Sequence, residues 1–409
     1  MKKYISALVL LYLLFDNAIA QTKIIPGAER MDVYVPMLKG KSVAVFANQT
    51  SMVGNTHLVD TLVKRGIKVV KIFSPEHGFR GNVDAGEKVG DYTDEQTGIK
   101  VISLFGTKRR PSDDDLKDVD IMIFDIQDVG TRFYTYISSL EEYMDAAFEN
   151  SKPLLILDRP NPNGFYVDGP VLDPKFKSFV GMQPVPIVYG LTIGEYAMMI
   201  SGEKWLTEKA NKKQEYYAHA ENSVDTPFHF LVIKCKNYDH TSKYILPVKP
   251  SPNLPEMQSI YWYPSTCFFE GTALNEGRGT PKPFQYFGHP SLPKTLFSYT
   301  PHSMEGATKP KLKDTLCYGW NLSGTPEKVL QQINNRIQLK WIIEAYKLFP
   351  DKTNFFRRSF NRLAGNDVLM QQIIDGKTED EIRKSWEPAL SNYKEIRKKY
   401  LMYKDAPNP

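Results

Sequence analysis

The chain has 409 residues, 42% hydrophobic and 24% charged, which argues against long disorder, collagen or coiled coil and suggests two or three domains, enough to bury a core. Its 52 basic and 47 acidic residues leave a net charge of +5. The basic runs at 108–110 and 397–399 are too short to track a phosphate backbone, so no nucleic-acid partner is expected.

Residues 1–20 read as a signal peptide, with Lys2 and Lys3, an apolar stretch over 5–15, and Ala18-Ile19-Ala20 before Gln21. No later stretch is long enough to span a bilayer. An exported, periplasmic chain without membrane insertion is expected. Three cysteines, Cys235, Cys267 and Cys317, make no disulfide framework and no CxxC zinc motif. Either one bridge or three buried thiols fits them.

From residue 41 the pattern alternates. Short apolar runs at 42–47, 67–73, 100–105, 121–124 and 153–157 are separated by helical stretches at 57–65, 113–118 and 136–150. Continuous apolar strands alternating with helices predict βαβ units and a buried parallel sheet. The expected fold is α/β, a Rossmann-like, doubly wound domain over 40–250. Three prolines in 248–255 suggest a boundary. Beyond it, Gly/Pro-rich loops and helices at 326–349, 362–374 and 378–400 make a smaller C-terminal α/β domain over 251–409.

In an open parallel sheet, ligands bind beyond the carboxyl ends of the strands. Those ends carry Asn48, then Glu76, His77 and Arg80, then Asp125, Asp128, Arg132 and Tyr134, then Asp158, Arg159 and Asn161. No GxGxxG follows the first strand and no phosphate-loop motif occurs, so no nucleotide cofactor is expected. No HExxH or three-histidine spacing supports a metal; Asp125 and Asp128 read as well as loop-amide acceptors. Glu76, behind a proline and before a glycine, is held at the rim, and Phe79 would desolvate it enough to act as a general acid. Its alternative is an ion pair with Arg80. A second dense segment, 268–284, places Arg278 between two glycines, a planar fork suited to a carboxylate, or the partner of Glu270 in an internal ion pair.

These same motifs carry a resemblance. SPEHGFRG (74–81), FDIQDVGTRFYTY (124–136), LDRPNPNG (157–164) and FFEGTALNEGRGTPKPFQ (268–285), followed by FNRLAG (360–365) and DGKTEDEI (375–382), resemble the NamZ-type exo-β-N-acetylmuramidase family across about residues 41–403. The resemblance implies a Rossmann-like domain and a smaller α/β domain with the cleft between them. It also implies release of N-acetylmuramic acid from the non-reducing end of peptidoglycan fragments, with such sugars and muropeptides as partners. Glycoside hydrolysis takes an acid and a second carboxyl. Glu76 is the expected acid, with Glu270, Asp125 and Asp128, in that order, for the second group. The lactyl anion of muramic acid calls for an arginine, Arg278 first, then Arg132 and Arg159. Asn48, His77, Arg80, Asp158, Asn161 and Glu276 are candidate sugar contacts, and Tyr134, Tyr136 and Trp262 could stack on the ring. A non-catalytic muropeptide-binding protein is the competing reading, and a metal-dependent hydrolase the third.

Overall fold

The computed structural model describes residues 22–76, 78–81, 90–220 and 229–407; the signal-peptide expectation over 1–20 and the candidate His77 lie outside them. The five apolar runs form β1 (Ser42–Ala47), β4 (Lys68–Ser74), β6 (Lys100–Ser103), β7 (Ile121–Asp125) and β8 (Leu154–Leu157). A hairpin, β2 (Met52–Val53) and β3 (Thr56–His57), follows β1. Two strands join the sheet that the apolar runs do not predict, β5 (Tyr92–Thr93) and β9 (Phe230–Ile233). One is two residues long, and the other, Phe-Leu-Val-Ile, is a half-buried apolar edge strand outside the five expected runs.

The seven-stranded sheet has the order β5-β6-β4-β1-β7-β8-β9. All neighbours are parallel except β5, which runs antiparallel to β6. Side chains alternate between two covered faces. Ala44, Phe46, Met122, Phe124, Leu154 and Ile156 face the helices Tyr136–Glu149 and Ile193–Gly202. Val43, Val45, Ile121, Ile123, Leu155 and Leu157 face the helices Met31–Leu38 and Leu58–Lys64. The chain winds outward in one direction from β1 and in the other from β7, so its topological switch point lies between β1 and β7, with the loop after β4 beside it.

The C-terminal part carries a three-stranded antiparallel sheet, β10 (Tyr286–His289), β12 (Cys317–Asn321) and β11 (Phe297–Tyr299), surrounded by helices. The expected helix over 326–349 is two, Pro326–Ile333 and Lys340–Leu348. Asn334 and Asn335 adopt left-handed backbone, φ +45° and +54°, which asparagine tolerates and a helix cannot continue through. The last helix, Glu379–Lys398, begins with a reciprocal Thr378–Glu381 cap.

The two parts share one core. Val129, Phe133, Phe165, Tyr166, Ile187 and Val188 of the first pack with Trp262, Phe268, Phe284, Ile337 and Phe360 of the second. An apolar interface of this kind removes the default of free domain motion. All three cysteines are buried and free. No helix among the described residues is long and apolar enough to cross a membrane.

Candidate active site

A cleft of about 190 Å³ opens at the switch point, lined by Glu76, Phe133, Tyr134, Thr135, Tyr136, Val180, Ser251, Asn253, Leu254, Tyr263, Glu270, Arg278 and Phe284. Glu76 arrives on the turn after β4. Tyr134 and Tyr136 come from the loop after β7 and the helix it feeds. Glu270, Arg278 and Phe284 come from the glycine-rich segment of the second part. Three of the expected residues, Glu76, Glu270 and Arg278, therefore meet in one cavity although nearly 200 positions separate them.

The cationic wall is a small network. Arg278 Nη1 lies 2.6 Å from Glu270 Oε1 and 3.1 Å from Glu276 Oε1, and Lys311 Nζ lies 2.8 Å from Glu276 Oε2. Burial works against the charge of Arg278, but Glu270 and Glu276 outweigh it and raise its affinity for the proton. Burial likewise opposes the Glu276 carboxylate, and Lys311 and Arg278 hold it below the usual range. Glu276 thus lies beneath the cleft as the counterion of two cations rather than as a sugar contact. Phe284 stands at φ +62°, a strained backbone for an aromatic residue. Its N–H donates to Glu276 O at 2.8 Å, its ring packs edge-on Tyr263 at 4.7 Å, and Arg278 lies over its ring at 5.0 Å.

Both tyrosines have their hydroxyls committed. Tyr134 Oη donates to Pro250 O at 2.8 Å. Tyr136 Oη accepts from Asn48 Nδ2 at 2.8 Å, which places Asn48 one bond behind the cleft, not in it. Gln49 Nε2 also donates to Pro250 O, at 3.1 Å. The proline-rich segment read as a boundary is therefore pinned across the mouth of the first domain, and it contributes Ser251, Asn253 and Leu254 to the lining.

Most other rim residues turn inward, correcting the expectation that they face a ligand. Asp125 is fully buried and takes both prongs of Arg159, Nε–Oδ1 2.6 Å and Nη2–Oδ2 2.8 Å. That pair removes Asp125 as a second catalytic carboxyl and Arg159 as a lactyl partner. Asp128 accepts from the N–H of Gly130 at 2.6 Å and from the hydroxyl of Tyr189, and burial pushes its carboxyl up to about 7 despite these bonds. Asp158 accepts from Gly194 N at 2.8 Å and Tyr403 Oη at 2.6 Å, and burial raises it to about 7.

Arg132 is fully buried and donates to four backbone carbonyls, those of Pro170, Val185, Leu363 and Ala364. Burial lowers its value to about 9, and it joins the two parts of the chain instead of meeting a lactyl group. Asn161 Nδ2 donates to Leu191 O at 2.7 Å. Its side chain fills the space a Cβ at Gly130 would need, with Oδ1 only 2.1 Å from that position. Arg80 spends its fork on Asp60 and Asp94, at 2.9–3.1 Å, so it clamps the loop after β4. Phe79 is buried edge-on His57 at 4.7 Å; the aromatic surface beside Glu76 comes from Tyr134, Tyr136, Tyr263 and Phe284 instead. Trp262 is core, with Nε1 donating to Leu322 O at 3.1 Å.

No group of three or more His, Cys, Asp or Glu among the described residues is arranged to hold a metal ion. Two carboxylates, one arginine and aromatic walls suit a hydroxyl-rich ring that carries one anionic substituent.

Comparison with known proteins gives this arrangement a family. Residues 43–258 match the N-terminal model of exo-β-N-acetylmuramidase NamZ, and residues 261–403 match its C-terminal model. The chain is 38% identical over 388 residues to the peptidoglycan β-N-acetylmuramidase NamZ of Bacillus subtilis (strain 168), covering 90% of this chain and 89% of that protein. Two crystal structures of DUF1343 family proteins from Bacteroides fragilis NCTC 9343 superpose on it. One has a TM-score of 0.83 at 45% identity, covering 94% of this chain and all of the other. The second has a TM-score of 0.75 at 26% identity, covering 93% and 99%. The chain belongs to the exo-β-N-acetylmuramidase NamZ family and is a glycosidase.

Proposed function

We propose that the cleft removes a single N-acetylmuramic acid from the non-reducing end of peptidoglycan fragments, in cell-wall turnover. The observation that carries this reading is that Glu76 and Glu270, from different parts of the chain, line one small cavity with Arg278. Glu76 donates its proton to the glycosidic oxygen as the C1–O bond breaks. Glu270 acts on the anomeric carbon, directly or through a water. Tyr134 and Tyr136 offer flat faces to the sugar, and Arg278 supplies the positive charge that a lactyl carboxylate requires.

The exo mode is supported by the family, whose N- and C-terminal models are those of an exo-β-N-acetylmuramidase. We place the mature protein outside the cytoplasm, in the periplasm, on the leader-like residues 1–20.

The test is hydrolysis of a nitrophenyl β-N-acetylmuramide, with the β-N-acetylglucosaminide as control. Preferential cleavage of the muramide, lost in Glu76→Gln, is expected. Cleavage that survives the substitution would move the acid elsewhere, and failure to cleave the muramide would overturn the substrate.

A further inference from the structure

Arg278 stands in a line of alternating charges, Lys311–Glu276–Arg278–Glu270, whose two ends differ. At the deep end, the Glu276 side chain is 3% exposed and sits between two cations. Lys311 is fixed further by donating to Phe269 O at 2.8 Å. At the open end, the Glu270 side chain is 28% exposed and lines the cleft. Both carboxylates approach the same nitrogen, Arg278 Nη1, while Arg278 Nε is buried without a hydrogen-bond partner among the described residues. The guanidinium is therefore held at one nitrogen, and its fork is not used in the bidentate way that suits it best.

We propose that Glu270 occupies the place of a carboxylate that the substrate brings. This rests on the muramidase reading and deepens it. The lactyl carboxylate of muramic acid displaces Glu270 from Arg278, and the freed Glu270 becomes available to the anomeric carbon in the cleft that Glu76 also lines. No covalent bond is made or broken in the exchange; one carboxylate replaces another on one guanidinium. Glu276 is not the exchanging partner, because its departure would strand Lys311 without an anion. The lactyl group then controls the rate as well as the affinity. A glucosaminide, which lacks it, enters the cleft and leaves Glu270 locked on Arg278.

The experiment needs only the wild-type protein, so the folding of a variant does not enter. Steady-state kcat and KM are measured for the nitrophenyl muramide and glucosaminide, and D-lactate is then titrated into each. On the glucosaminide, kcat should fall by about 10²-fold or more, as expected when a catalytic carboxyl is withheld, with a much smaller change in KM. D-lactate should raise the glucosaminide rate by about tenfold or more with saturation, and should inhibit muramide hydrolysis competitively. Equal kcat values with a difference in KM alone would show uniform binding and overturn the exchange. A glucosaminide rate unmoved by D-lactate would overturn it as well. Failure to hydrolyse the muramide would instead overturn the functional reading beneath it.

Discussion

The carboxylates at the carboxyl ends of this sheet fall into two groups with opposite surroundings. Asp125 ends β7, Asp128 lies three residues further on, and Asp158 directly follows β8; all three are buried. Each receives a segment distant in sequence: Arg159 for Asp125, Tyr189 for Asp128, Tyr403 for Asp158. Glu76 sits in the turn after β4, next to a proline, and Glu270 in the short 3-10 helix Cys267–Gly271, next to a glycine; both are half-buried and line the cleft. A carboxylate at the end of a buried parallel strand is thus most easily used as an anchor for returning chain. The carboxylates that meet solvent come from segments outside the strand ends, Glu76 from the turn past β4 and Glu270 from a 3-10 helix of the second part. Chemistry in this fold is placed one step beyond the sheet.

The comparison breaks first at Glu76. Glu76→Gln should lower kcat by about 10²–10⁴-fold, the span expected for a general acid, while costing less stability than the about 3–5 kcal/mol of breaking a buried ion pair. Parallel measurement of muramide hydrolysis and urea unfolding decides it. A loss of activity matched by a loss of stability would place Glu76 with the anchors.

Asp125→Asn should do the reverse. It leaves the buried Arg159 guanidinium without its anion, and breaking one side of such a pair costs about 3–5 kcal/mol. Urea unfolding should register that loss. Unchanged stability with a large fall in kcat would move Asp125 into the catalytic group.

The same contrast explains how much was legible beforehand. Five strands were readable because each is a continuous apolar run between turn residues, the signature of burial on both faces. Edge strand β9, Phe230–Ile233, carries the same apolar signature and was legible too, although the alternation with helices picks out five strands only. Glu76, Glu270 and Arg278 stood out because glycines and prolines surround them. Asp125 and Asp128 stood out equally, because a strand-end aspartate reads the same whether it faces a sugar or an arginine 34 residues away. Arg132 and Arg159 were misread for that reason too, their partners being set by tertiary packing. Ser251 and Asn253 were hidden in a proline-rich stretch whose local chemistry signals a boundary. Only its hydrogen bonds to Tyr134 and Gln49 make it a wall of the cleft.

The anchors also carry a pH signature. Burial raises Asp128 from the ordinary aspartate value to about 7. Its contribution to stability is therefore fully present below about pH 4 and lost as pH rises toward 7, by about 1.4 kcal/mol for each pH unit crossed in that window. Asp128→Asn carries no such dependence. The wild type should consequently lose stability relative to the variant as pH increases from about 4 to 7, measured by urea midpoints across the range. A difference that is flat, or that grows in favour of the wild type at higher pH, would mean that Asp128 is ionised and stabilised in the fold.

Tyr403 offers the mildest test, because it touches an anchor from the far end of the chain. Its hydroxyl donates to Asp158 Oδ2 at 2.6 Å and accepts from the N–H of Cys235 at 2.7 Å, so it ties the residues after the last helix to the ends of β8 and β9. Tyr403→Phe keeps the ring against Tyr238, 5.0 Å away, and removes only the oxygen, leaving one buried acceptor and one buried donor unpaired. The expected cost is about 1–3 kcal/mol, read by thermal or urea unfolding. Because neither Tyr403 nor Asp158 lines the cleft, kcat on the muramide should stay within about twofold at temperatures where the variant is folded. A larger fall in kcat than in stability would show that Asp158 reaches the chemistry after all, and the division between anchoring and catalytic carboxylates would have to be redrawn around β8.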